Sequence, residues 1–555
     1  MDYEKLAGLL FGPEKVTPDE LELQYPPRTL PEGAKVTRMA PSPTGFMHLG
    51  NLYGAIADER LAHQSKGVFY LRIEDTDQKR EVPGGVQTIL EVFEHYKLLF
   101  NEGATLTGDN GNYGPYRQRQ RADIYHAYVR RLVLQGLAYP CFLTEDELKE
   151  IREEQAKRKL NFGCYGEFAR YRNATYQEVE ERIQAGQPYV VRLRSPGNTE
   201  TRIKVTDLVR GTLELPENDQ DVVLLKADGI PTYHFAHVVD DHLMRTTVVV
   251  RGEEWLATLP IHIQLFAALG WKAPKYLHTA HLMKMEGESK RKLSKRKDPE
   301  LALSFYSEKG YTIEAVKEYL LSLLNSNFEE WRKANPSAPL EDFPFSVKKM
   351  GTSGALFDMD KLDDVSRNLL SCMDAKAVYD AAAEWAAQYD SEFAALFTAD
   401  AAYSQAALSI GRGGAKPRKD ITVWSGVKEY LSFFYDELFA PQYVLPQNVN
   451  AQQEQDILQR YRAAYDEADD ATAWFEKMKQ LAVQIGFADN VKEYKKNPDA
   501  FKGHVGDVSM VVRVAVTGRE QSPDLYEVMQ VLGSKKVQER LLLAEQAMWE
   551  TTAEE

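Results

Sequence analysis

The sequence predicts an α/β fold: a doubly wound parallel sheet split by an α+β insertion, followed by an all-helical C-terminal region. Three observations carry this expectation. A short β-rich run at 35–39 leads through a Pro- and Gly-rich loop into a helical pattern, and then into an apolar run, GVFYLRI, at 67–73. Strand, loop, helix, strand is how such a sheet begins. The buried-strand style returns at 246–250 (TTVVV), after a mixed stretch at 115–228, and beyond residue 300 the apolar spacing is nearly all helical.

The elements follow in order. Residues 1–34 are Pro-rich and weakly patterned, an extension ahead of the first core strand. The 35–39 strand is ended by Pro41 and Pro43, which cannot donate to a ladder. Gly45 and Gly50 bracket the next loop, and from Asn51 onward Leu52, Ile56 and Leu61 fall on one side of a helix. Ile124, Tyr128 and Leu132 mark another helix and 144–160 a charged one, with short strands at 189–193 and 222–225. After 246–250 come a helix and a strand at 276–278. Near the end, Ser522 is the expected N-cap, Pro523 the first helical residue and Gly533 the stop, with Leu525, Val528, Met529 and Leu532 inward.

The domain plan is therefore an extension (1–34), a Rossmann-like nucleotide-binding domain in two pieces (35–114 and 229–290), and an insertion (115–228). A basic loop and connecting region (291–375) and a helical region (376–555) complete it. A length of 555 residues, 43% hydrophobic and 27% charged, suits a globular chain of three or four domains. No run of about 18 apolar residues exists, so no membrane partner is expected. The LAGLLF patch near the N-terminus is flanked by acids and is no signal peptide. Three widely spaced cysteines, Cys141, Cys164 and Cys372, suit a reducing compartment, so a cytoplasmic location is expected.

A net charge of −15, from 68 basic and 83 acidic residues, looks wrong for a nucleic-acid binder. Local neutralisation of phosphate matters more than the whole-chain sum. The basic residues are clumped at 290–297, 412–419 and 492–496. Each clump alone reads equally well as a solvated face.

Two segments carry chemistry. PSPTGFMHLGN (41–51) is a Gly- and Pro-rich turn opening a helix, which offers backbone N–H groups and a positive dipole end to phosphate, with His48 and Gly50 at the helix start. KLSKR (292–296) is a Lys-rich loop able to close over a triphosphate and stabilise charge there. Alone, the first is an ordinary turn with a structural histidine and the second an ordinary basic loop. In this order, flanking the two halves of one sheet, they resemble the class I aminoacyl-tRNA synthetases, whose signatures are written HIGH and KMSKS. Asn51 stands for the final His of the first and Leu293 for the Met of the second.

Which amino acid such an enzyme takes depends on the surrounding residues. Glutamate has two carboxylates and one ammonium, so its pocket needs two cations and one acid. Arg38 and Arg251 sit near the carboxyl ends of predicted strands, where a planar guanidinium pairs a carboxylate well. Glu74 follows the FYLRI strand, and Tyr233 could lend a hydroxyl. Each alone reads as an ordinary surface residue. Together with LRIEDTD (71–77), GPYRQ (114–118), DGIPTYHFAHVVDDH (228–242) and VRGEEW (250–255), they resemble the bacterial glutamyl-tRNA synthetases. The likeness runs from about residue 36 to the end.

By that resemblance Arg38 and Tyr233 clamp the side-chain carboxylate, while Arg251, Ser42 and Glu74, beside Ala40, hold the α-amino acid part. His237 stands where relatives often have Asn. ATP would be held by His48, Gly50, Asn51, Glu254, Trp255, Lys292, Ser294 and Lys295, with His48 and Lys295 catalytic and Mg²⁺ neutralising the phosphates. Glutamyl-adenylate would form first, and the glutamyl group would then pass to the 2′-OH of the terminal adenosine of tRNA(Glu), with tRNA(Gln) an open second acceptor. No covalent nucleophile is needed, so positioning and electrostatics carry the catalysis. The family usually binds tRNA before activating glutamate.

No zinc or other protein-held metal is expected, since Cys141 and Cys164 lack ligand spacing, and Cys141 reads as a small buried hydrophobe. SGALFDMDKLDDVSRN (353–368) resembles the family's stem-contact region and 503–533 its anticodon-binding region. Candidate tRNA contacts are Asp77, Arg80, Arg412, Lys416, Arg418, Lys495 and Lys496, while 511–516 reads as core. A monomer is expected. The rival readings are a glutaminyl-tRNA synthetase, which ends in β-barrels, a non-catalytic tRNA-binding paralogue, which would lack His48 and Lys295, and a small-molecule nucleotidyltransferase, which needs no long helical tail. The long C-terminal region excludes a truncated glutamyl transferase acting on a tRNA base.

Overall fold

The computed structural model describes residues 1–551. They form two compact units, one of 1–305 with 317–358 and one of 306–316 with 359 onward.

The first unit is built on a parallel sheet whose two halves meet at an unladdered seam. Val36–Met39 pairs parallel with Val68–Leu71, and that strand pairs with Glu102–Thr105. On the other side, Val248–Gly252 pairs parallel with Lys275–Thr279. The seam is made by Thr247, whose N–H donates to Val36 O (2.9 Å) and whose Oγ1 accepts from Val36 N–H (2.8 Å). Val68–Leu71 is buried throughout, and Val248–Gly252 is buried until its last residue, as a central strand covered on both faces requires.

Two parts of this unit depart from the sequence-based plan. The hairpin Arg202–Asp207 and Gly211–Pro216, expected within the 115–228 insertion, joins the catalytic sheet, where Asp207 pairs with Tyr276. Its strands are polar and half-exposed, as at a sheet edge, so hydropathy could not assign them to a buried parallel sheet. The remaining insertion carries its own antiparallel sheet, Ala138–Cys141, Val190–Leu193 and Val223–Leu225.

The weakly patterned 1–34 extension is folded. It holds the helices Tyr3–Phe11 and Pro18–Gln24, the second opened by Pro18 and a capping box between Thr17 and Glu20. Both pack on the insertion's first helix, Ala122–Leu134. Arg28 holds Glu102 with two hydrogen bonds (2.7 and 2.9 Å), and Glu22 meets His242 (2.6 Å) in the last turn of the Tyr233–Leu243 helix and Arg245 (2.8 Å) just past it. The extension is thereby fastened to both pieces of the sheet and to the insertion.

The second unit is helical around one apolar core, in which Val508, Val511, Val512 and Ala515 of Val505–Thr517 meet Ile457, Leu481 and Leu541. The 511–516 run is core, as its sequence implies. The late helix is Leu525–Leu532, stopped by Gly533 but capped by Asp524 rather than Ser522. Ser522 cannot cap because its hydroxyl is taken by Arg513 and Pro523 O.

Candidate active site

A cleft of about 1190 Å³ opens at the carboxyl ends of the strands of the first unit, where α/β sheets place their ligands. Arg38, Ala40, Ser42, Glu74, Tyr233, Arg251, His48, Gly50, Asn51, Glu254, Trp255, Lys292 and Lys295 all line it. Sequence positions more than 200 apart thus converge on one space.

One end is a buried charge network. Arg38 Nε donates to both oxygens of Asp241 (3.3 Å each), and its Nη1 donates to Val250 O (3.3 Å). Asp241 also accepts from Arg72 Nη1 (2.7 Å), while Arg72 Nη2 donates to Glu74 Oε1 (2.9 Å). Burial alone would raise the Asp241 carboxyl, but Arg38 and Arg72 hold it well below its ordinary range. Glu74 ends up raised, because burial outweighs the pull of Arg72 and Arg38. Next to Asp241, Asp240 takes Arg121 Nε (2.7 Å), Gln118 Nε2 (2.9 Å) and Tyr125 OH (2.9 Å).

Arg251 is held differently. Its Nε donates to His278 Nε2 (3.0 Å) and its Nη1 to His262 Nδ1 (2.9 Å). A guanidinium can only donate, so both acceptor nitrogens are unprotonated. His278 therefore carries its proton on Nδ1, facing Asp207 Oδ2 at 2.8 Å, and His262 Nε2 donates to His234 Nδ1 (3.0 Å). Asp207 comes from the edge hairpin, which is why that hairpin matters to the site. Tyr233 lies between Trp255 (ring centroids 4.5 Å apart) and His237 (5.6 Å, nearly parallel).

His237, expected in the substrate pocket, is fully buried and does not border the cleft. Its Nδ1 lies 2.8 Å from Asp241 Oδ2 and its Nε2 3.2 Å from Tyr276 OH, so it braces the network from behind. Burial pushes it down to about 3, against the pull of Asp241.

The other end is more open. His48 is the N-cap of Leu49–Gln64, and its backbone N–H donates to Asn51 Oδ1 (3.0 Å). Asn51 thus fills the third position of a cap, a role open to Asn but poorly served by the His it replaces. Gly50 gives the imidazole its room, since a Cβ there would come within 3.1 Å of the ring. Burial, then Lys295, hold His48 down to about 4, and its Nδ1 is buried with no partner.

The KLSKR loop reaches this place. Lys295 Nζ sits 4.5 Å over the Phe46 ring, and Lys292 Nζ lies 3.4 Å from His281 Nε2. His281 Nδ1 in turn faces Glu254 at 3.4 Å. Ser294, expected at ATP, does not border the cleft: its N–H donates to Asp298 Oδ2 (2.8 Å). Asp298 is also gripped by both Arg291 Nη atoms (2.6 and 2.7 Å), which holds its carboxyl down to about 2. This arrangement sets the loop's shape and buries Leu293 beneath it.

Sequence reading missed Arg72, Asp240, Asp241 and His281. The signal was present: two adjacent acids in the otherwise apolar HFAHVVDD helix must meet buried cations. Of the remaining candidates, Asp77 and Arg80 border the cleft and pair with each other (2.6 Å). In the second unit Arg412 is half-buried and donates to Leu370 O (2.7 Å), and Arg418 pairs with Asp420. Lys416, Lys495 and Lys496 are exposed.

A sequence profile described as tRNA synthetases class I (E and Q), catalytic domain, matches residues 35–363, and one described as an anticodon binding domain matches 377–544. Glutamate–tRNA ligase of Acetivibrio thermocellus is 53% identical over 542 residues, covering 98% of this chain and 99% of that one. The Clostridium perfringens (strain 13) ligase is 50% identical, covering 98% of this chain and all of its own. The chain belongs to the glutamate–tRNA ligase family. A crystal structure of the family from Elizabethkingia meningosepticum, in complex with its amino acid, superposes with a TM-score of 0.73 at 28% identity, covering 92% of this chain and 99% of that one. The chain is accordingly an ATP-using class I aminoacyl-tRNA ligase.

Proposed function

We propose that the cleft activates L-glutamate with ATP and then charges tRNA(Glu) at the 2′-OH of its terminal adenosine. One observation carries the reading: a single crevice holds two arginines and a glutamate at its dry end, and an imidazole and two lysines at its open end. Arg38 would take the side-chain carboxylate, Tyr233 beside it. Arg251 and Ser42 would take the α-carboxylate side, and the free oxygen of Glu74 the ammonium. Glu254 and Trp255 border the adenosine.

This orients the α-carboxylate toward the α-phosphorus, which it attacks in line as pyrophosphate leaves. His48 stays neutral at working pH and can donate one N–H to phosphate, while Lys292 and Lys295 face the charge that builds on the leaving group. Mg²⁺ enters on the nucleotide. The exposed Lys416, Lys495 and Lys496 are the tRNA backbone contacts we favour in the second unit.

The test is aminoacylation with labelled glutamate on purified tRNA(Glu) and tRNA(Gln) separately. Charging of tRNA(Glu) is expected, and the second arm decides whether tRNA(Gln) is also an acceptor. Intact protein that charges neither, or that prefers glutamine to glutamate, overturns the reading.

A further inference from the structure

Asp58 lies on the Leu49–Gln64 helix, 1% exposed, yet it borders the cleft at its dry end. Its Oδ1 is buried and accepts no hydrogen bond. The charged residues on either side of it are spent elsewhere: Glu59 accepts from Leu99 N–H (2.9 Å), and Arg60 donates to the carbonyls of Glu341 and Phe343. The groups facing it from neighbouring elements are Arg38 on the first strand and Asp241 on the Tyr233–Leu243 helix. Arg38 has already committed Nε and Nη1 to Asp241 and Val250. Thr37 Oγ1, donating to Asp58 O (2.8 Å), fixes the helix against that strand.

The charges of the network balance without Asp58, since the guanidinium groups of Arg38, Arg72 and Arg121 face the carboxylates of Asp241, Glu74 and Asp240. A fourth carboxylate, helped only by the Arg38 backbone N–H, would stand buried with Oδ1 lacking any donor, which is costly, and would repel the second carboxylate of an arriving glutamate. A neutral acid has neither fault. It carries a proton that nothing in the protein accepts.

We propose that Asp58 is a substrate-binding residue: a protonated carboxyl whose O–H donates to the side-chain carboxylate of the amino acid, which it shares with Arg38. This rests on the reading that the Arg38 end of the cleft receives that carboxylate. Burial, reinforced by Asp241 and opposed by Arg38, raises the Asp58 carboxyl well above its ordinary range. A carboxylic acid kept neutral by its site is a recognised hydrogen-bond donor to substrate oxygen. Binding of glutamate is tight while Asp58 is protonated and weakens as pH rises through its raised pKa.

The experiment measures KM for glutamate in tRNA-dependent ATP–pyrophosphate exchange, for wild type, Asp58→Ala, Asp58→Asn and Arg38→Lys, across pH 6 to 9. Norvaline, which lacks the distal carboxylate, serves as a competing inhibitor. Asp58→Ala should raise KM for glutamate about tenfold with the inhibition constant of norvaline and the KM for ATP unmoved. Asp58→Asn, a donor that cannot ionise, should restore most of the affinity and show no dependence of KM on an ionisation at this position. The proposal is overturned if Asp58→Ala leaves KM unchanged, or weakens norvaline as much as glutamate. If Asp58→Ala does not fold, Asp58→Leu, which fills the space without a donor, is read instead, and an unchanged KM for glutamate there overturns it. An Arg38→Lys variant with wild-type KM would instead sink the pocket reading beneath it.

Discussion

The two ends of the cleft solve opposite problems. At the amino-acid end, Arg38, Arg72, Glu74 and Asp241 are buried and hold one another at hydrogen-bond distance before any substrate arrives. At the phosphate end, Lys292 and Lys295 are exposed, and apart from a ring face and an imidazole their ammonium groups are uncommitted. A small substrate that must be told from near-isosteres needs fixed donors in a dry site, where an unmet group is costly. A triphosphate carries so much charge that cations placed nearby suffice, and a rigid frame would hinder release of pyrophosphate.

The contrast can be broken first at its dry end. Asp241→Ala leaves Arg38 and Arg72 buried without their shared partner, and should cost about 3–5 kcal/mol of stability in urea denaturation, with glutamate-dependent exchange falling to background. A loss under about 1 kcal/mol would mean that the network is not preorganised. At the open end, Lys295→Ala should slow exchange about 10²–10³-fold while unfolding and tRNA affinity hardly move. If exchange is unaffected, the role given to the KLSKR loop is wrong.

Acid titration bears on histidines at both ends. Burial first, and Lys295 or Arg251 second, hold His48 and His234 down to about 4, and burial holds His237 down to about 3, against an ordinary 6.5. The unfolded chain therefore binds more protons below about 6.5. Stability from these neutral rings is full above that pH and drains as pH falls toward 4 and then 3. Urea midpoints should start to drop near pH 6.5, and His237→Asn should flatten the slope. A midpoint constant down to pH 5 would contradict this.

Smaller effects test the supports. Gly50→Ala pushes on the His48 ring at 3.1 Å and should raise KM for ATP about tenfold without changing KM for glutamate. Glu22→Gln, at the half-exposed brace to His242 and Arg245, should cost about 1 kcal/mol or less. It should leave both KM values alone. A large kinetic effect there would make the 1–34 extension part of the site rather than its scaffold.

Much of this was legible in the residues. The ordered pair PSPTGFMHLGN and KLSKR, and the residue types of Arg38, Glu74, Tyr233 and Arg251, imply one crevice, because strand ends and the turns after them must face the same edge of a parallel sheet. The Thr17–Glu20 capping box was equally readable, yet the prolines around it obscured it. Ser294 and His237 could not be placed. Membership in a motif says nothing about whether a side chain faces the ligand or a neighbouring acid, and Asp298 and Asp241 decided those two cases.

What the sequence determined alone was local and periodic: strand and helix order, the glycine turn, the basic loop, and the chemistry each residue could offer. Only the tertiary structure decided which charges balance. Asp207 reaches His278 through a polar edge hairpin, Asp241 gathers Arg38 from one strand and Arg72 from just past the next, and Asp58 is left bordering the cleft with Oδ1 unpartnered. These pairings join residues from 71 to more than 200 positions apart. Burial, which turns a charge from harmless to costly, is a property of the packed whole that no local pattern encodes.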